Sequence, residues 1–166
     1  MDLGYDKGEG LYNRRSLERL KNTEEKRTLP ENYEELKKQA NRTADWRERL
    51  HAVEELGQWK NKYVIEILMR LMKNDAVYKI QEAAYQNLKR LGEDVELPPR
   101  KKGDLVKDVS KVIIRIKKSL PEGHSYKEFK EKLQKMRLDV YDTYEGDMGA
   151  DFDKWLKTKW ETLSKR

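Results

Sequence analysis

The feature that most constrains this chain is a repeat. Trp46-Arg47-Glu48-Arg49-Leu50-His51-Ala52-Val53-Glu54-Glu55-Leu56 is followed, 32 residues later, by Tyr78-Lys79-Ile80-Gln81-Glu82-Ala83-Ala84-Tyr85-Gln86-Asn87-Leu88. Trp46 aligns with Tyr78, Ala52 with Ala84, Leu56 with Leu88 and Trp59 with Leu91. A small residue four before a leucine, copied at a fixed interval, describes helices that approach one another closely. One helical hairpin cannot bury both its faces, so such units stack into a continuous core and need caps at their ends.

The rest of the chain supplies helices for that stack. Leu11, Leu17 and Leu20 form a thin apolar stripe up to about Lys26, after a glycine-containing tail over residues 1–10. Tyr33, Leu36 and Ala40 predict a short amphipathic helix behind Pro30. Thr43 is the expected N-cap of a helix over 44–58, and Asn61 that of a strongly apolar helix over 62–73. Asn74-Asp75 opens a helix over 76–91, which Gly92 closes. Pro98-Pro99 forces a loop between 93 and 103. Asp104 then starts a helix over 105–119, with Leu105, Val109, Val112, Ile113 and Ile116 on one face. The β-branched run Val112-Ile113-Ile114 also permits a strand, and with it a winged-helix C-terminal third. Ser125 and Glu128 form a capping box for a helix over 126–144, and a last helix follows from about Asp151.

Charged residues make up 41% of the chain and mean hydropathy is −1.10. Four Trp and nine Tyr nevertheless argue for an ordered, high-surface helical protein. With no Cys, disulfides and thiol chemistry are excluded. No run reaches membrane-spanning length, and residues after Met1 lack the pattern of a secretory signal, so the expectation is a cytoplasmic protein with no membrane contact. The net charge of +6 is uneven. Residues 1–96 balance nineteen bases against nineteen acids, whereas residues 97–137 hold thirteen against five and residues 138–166 five against seven.

The paired helices, Asp75 at the turn, and Ile80, Ala84, Leu88, Leu91 and Gly92 after it resemble HEAT repeats over residues 43–119. The period of 32 is shorter than the roughly 40–47 usual for that class. The resemblance implies an all-α fold: a short right-handed stack of antiparallel helical hairpins, a HEAT-like α-solenoid with terminal capping helices. In that reading residues 11–166 form one helical-repeat domain. Residues 11–42 cap its N-terminal end, 43–119 make two hairpins, and 120–166 add a C-terminal hairpin. The resemblance also implies that the second helix of each hairpin lines a concave face. That face would present Lys62, Arg70 and Lys73, then Lys107, Lys111, Arg115 and Lys118, beside Arg100, Lys101 and Lys102. Ile114 lies among these cations as an apolar contact.

Catalytic signals are weak. His51 and His124 have neither zinc nor triad spacing. The acidic stretch Asp139, Asp142, Glu145, Asp147, Asp151 and Asp153 lacks the spacing of a calcium loop. The functional expectation is a non-enzymatic adaptor without cofactor, holding an acidic segment of another protein on its basic face. Nucleic acid is the alternative partner for the same stripe, and a solvated lysine face is the plain one. Few arginines and no stacking aromatics among these cations put the acidic protein ahead.

Overall fold

The computed structural model describes residues 28–163, and the tail and first helix expected before Lys26 lie outside them. Among the described residues the chain is all-α. Val112-Ile113-Ile114 is helical, so the strand alternative and the winged helix built on it are set aside.

The first unit contains α1 (Tyr33–Ala40), α2 (Trp46–Leu56), α3 (Lys62–Asn74) and α4 (Tyr78–Arg90). α1 packs on α2, α3 on α4, and α2 on α4. The repeated copies are thus the second helices of two hairpins and form the seam between them. Ala52 and Ala84 are both fully buried in that seam's core, with Val53, Leu56, Ile80 and Leu88. Where the two helices end, Gly57 leaves room for Asn87, whose side chain a Cβ at Gly57 would strike. α4 stops as anticipated: Gly92 adopts φ +94°, its amide bonds to Lys89 O at 3.0 Å, and that of Glu93 bonds to Leu88 O at 2.9 Å. This is a Schellman cap.

The start of α2 differs from expectation. Asp45, not Thr43, caps α2, accepting the Glu48 amide at 3.2 Å, because Ala44 turns the chain through a left-handed conformation first (φ 63°). Asn61 does cap α3, accepting the Tyr63 amide at 2.8 Å.

The second unit contains α5 (Val109–Lys118), α6 (Tyr126–Met136), α7 (Leu138–Met148), a short 3-10 turn (Gly149–Asp151) and α8 (Phe152–Thr162). It has its own core, built from Val112, Ile113, Phe129, Leu133, Val140 and Leu156 among others. This alters the expected hairpin phase. The helix expected to complete a second hairpin packs instead on α6 and α8. It is also shorter than anticipated. Leu105 and Lys107 precede it, because Asp108 turns the chain through a left-handed conformation (φ 60°) first; the amides of Leu105 and Val106 donate to the Tyr144 hydroxyl at 3.0 and 3.3 Å.

The capping box of α6 is present in both directions, Glu128 N to Ser125 Oγ at 3.1 Å and Ser125 N to Glu128 Oε1 at 2.8 Å. The helix it opens does not run through to Tyr144. It breaks at Arg137 (φ −137°, ψ 66°), so the C-terminal part is three helices rather than a hairpin. Met136 and Leu138, flanking the break, are 58% and 44% exposed.

Candidate partner-binding surface

The eleven candidate residues fall on three parts of the chain. Lys62, Arg70 and Lys73 lie on α3 in the first unit, Arg100–Lys102 in the connector, and Lys107 to Lys118 in or just before α5. Several have structural work. Arg70 donates to Asn41 Oδ1 at 2.6 Å, tying α3 to the end of α1. Lys62 sits over the Tyr63 ring at 5.3 Å. Arg100 bonds to Asp147 at 2.8 Å and covers the Tyr78 ring at 4.7 Å, while the Tyr78 hydroxyl donates to Pro98 O. This set fastens the connector to α4 and α7. Lys101 donates to Leu105 O at 3.3 Å.

Lys111, Arg115 and Lys118 are different. They recur at four and three residues on one face of α5, Lys107 stands just ahead of them, and all four are exposed. Among the described residues none forms an ion pair. Ile114, half-buried beside them, lines a cleft of about 340 Å³ with Lys118, Leu120, Pro121 and His124. His124 is fixed at the cleft's rim: Nδ1 lies 2.8 Å from Pro121 O and Nε2 accepts from the Trp160 indole at 2.9 Å. That pattern requires the neutral ring with its proton on Nδ1. His51 is exposed and pairs with Gln39 at 3.0 Å.

The acidic stretch is where local spacing was least informative. Two of its residues, Asp142 and Glu145, join the two units, and Asp147 reaches the connector through Arg100, whereas Asp139 pairs with Arg137 and Asp153 with Lys130 inside the second unit. Asp142 accepts the Trp46 backbone amide at 3.0 Å and lies 3.7 Å from Arg49. Arg49 itself forks onto Asp75 at 2.8 and 3.1 Å and donates to Arg42 O. Glu145 takes a bidentate pair of bonds from Arg47 at 2.9 and 3.1 Å and one from the Trp46 indole at 3.2 Å. The Arg47 bonds and the indole hold the Glu145 carboxyl below its ordinary range. Burial pushes Asp142 the other way, above its ordinary range, against the Trp46 amide and Arg49. Among the described residues no group of three His, Asp or Glu side chains is placed to hold a metal ion, and no helix is long and apolar enough to cross a membrane.

Antiparallel hairpins, stacked through the helices that carry the repeat, define an α-helical repeat protein. The family model for HEAT repeats matches residues 33–100, the span of both hairpins and the first half of the connector. Over that span the chain is a HEAT-like helical-repeat protein. The match begins at α1, in agreement with the observed pairing of α1 with α2. HEAT repeats commonly serve as protein-interaction scaffolds and are generally non-catalytic. No curated protein and no solved structure matches the chain.

Proposed function

We propose that this protein is a non-enzymatic scaffold that binds an acidic segment of another protein on α5. The observation that carries the reading is the row Lys107, Lys111, Arg115 and Lys118: exposed cations without an ion-pair partner among the described residues, beside the half-buried Ile114. Cations on one face attract an acidic chain and speed its encounter. An apolar side chain at the centre of such a face supplies the desolvated contact that long-range charge does not. The α3 cations stand on the other unit, so they are a separate patch in this reading.

The test is titration of the full chain with a fluorescent glutamate-rich peptide containing one leucine, and in parallel with a 20-nucleotide single strand. The peptide should bind, and Lys111→Glu/Arg115→Glu should weaken it at least tenfold. Ile114→Ser should weaken it with little change in salt dependence. Tight oligonucleotide binding with a steep salt slope, and none of the peptide, would move the assignment to nucleic acid.

A further inference from the structure

The two units meet through charged pairs and through Gly146, which lies close against Trp46 and Val77, and the geometry of that joint points to a second binding surface. We infer that the α2/α4 face of the hairpins is a receptor for an acidic helix, that α7 fills it in cis, and that an acidic helix of a partner protein binds there by displacing α7.

The receptor has three parts. A carboxylate site lies at the N-terminus of α2, where the Trp46 amide and Arg49 hold Asp142. Arg47 and the Trp46 indole make the second, holding Glu145 one helical turn further along α7. The third is a steric gate: a Cβ on Gly146 would fall 2.8 Å from Trp46 Cγ and 3.0 Å from Val77 Cγ2. Only a glycine lets the helix approach this closely. The face therefore reads a helix with an acid, a second acid three residues on, and a glycine next to it, as in Asp142, Glu145 and Gly146.

Three observations make α7 an exchangeable occupant. Each unit buries its own apolar cluster, with no residue shared between the two. Of the joint's ion pairs only Arg49–Asp142 is buried, and Arg49 keeps Asp75 within the first unit as its main partner; the other two use exposed arginines, with side chains 65% and 56% accessible at Arg47 and Arg100, and such pairs are individually weak. The connector from Leu91 to Asp108 contains no helix, so the units can part without unfolding either. Polar contacts between units of one chain resemble transient protein–protein interfaces.

The experiment uses the full chain and a labelled peptide with the sequence of residues 137–150. A variant with Glu145→Arg and Asp147→Arg repels α7 from Arg47 and Arg100. It should bind the peptide at least tenfold more tightly than the wild type does, and adding Arg47→Glu should abolish that gain. A peptide with alanine at the position of Gly146 should bind neither chain. Because the double variant could misfold, a second measurement uses the otherwise wild-type, cysteine-free chain. Spin labels on Gln58→Cys and Lys157→Cys, one in each unit, should show their distance distribution change under excess peptide. An unchanged distribution, or equal peptide binding by a folded double variant and the wild type, overturns the inference. Reversing Lys111 and Arg115 leaves this binding intact, so the result is independent of the α5 reading.

Discussion

At Gly146 two residue-level effects oppose each other. Alanine in place of a helical glycine ordinarily gains about 0.5–1 kcal/mol. Here the added methyl would meet the Trp46 ring and Val77 within 3.0 Å, and overpacking a buried contact costs about 1–3 kcal/mol. Gly146→Ala should therefore lower stability, read as a fall in urea midpoint at constant m-value. Ala84→Leu, in the fully buried seam, should cost about 1–3 kcal/mol by the same mechanism. Glu145 carries a pH dependence of definite sign. Its pKa is depressed in the folded chain below the ordinary 4.5, so its contribution is present above that value and is lost as pH falls through the folded pKa. Glu145→Gln should flatten the acid limb of the stability profile below about pH 4.5. Asp142 has the opposite sign. Its raised pKa means that its ionised form is less favoured in the folded chain, so its contribution weakens as pH rises.

At the scale of elements, helix existence was legible and helix limits less so. Asn61, Ser125 with Glu128, and Gly92 announce their caps because each acts on its own neighbours. The break at Arg137 has no such marker. Tyr126, Phe129, Leu133, Met136, Val140 and Tyr144 keep helical spacing straight through it, and neither Gly nor Pro interrupts them. The break lets α7 turn its acids toward α2 while α6 stays in the second core. It also leaves Met136 and Leu138 in solvent. Met136→Lys and Leu138→Glu should thus each change stability by less than about 0.5 kcal/mol. A continuous helix that buried Met136 would have made its loss cost roughly 2–5 kcal/mol. Thermal melts of the two variants decide between these geometries.

The whole molecule shows why the hairpin phase escaped the sequence. Periodicity gives the apolar face of a helix but not its partner, and α2 can be paired on paper with α1 or with α3. The structure pairs it with α1. The joint between units was still less accessible, since its contacts link residues 96 to 99 positions apart. Of the acidic stretch, which lacks calcium-loop spacing, Asp142 and Glu145 are the acidic side of that joint. The basic stripe on α5 was legible as charge, but that α5 packs in a different core from α3 was not. Within the joint, burial decides which pair matters. Arg49 and Asp142 are each 7% exposed. Arg49→Met should cost about 3–5 kcal/mol by leaving Asp75 and Asp142 without their cation. Arg47→Ala, on an exposed side chain, should cost about 1 kcal/mol or less. Chemical denaturation of both variants at one salt concentration measures the difference.

The division into two cores has an optical consequence. The four tryptophans fall two and two: Trp46 and Trp59 belong to the hairpins, Trp155 and Trp160 to the C-terminal bundle. Trp46 is buried at the joint beside Glu145, whereas Trp59 is the exposed member of its pair. Trp155 stacks on Tyr144 at 4.5 Å, half-buried against the second core. Replacing Trp59 with Phe and both bundle tryptophans with Phe or Tyr leaves Trp46 as the sole indole emitter, with a carboxylate on its ring nitrogen. Its emission wavelength then reports whether the two units are in contact, in a protein that needs no attached dye.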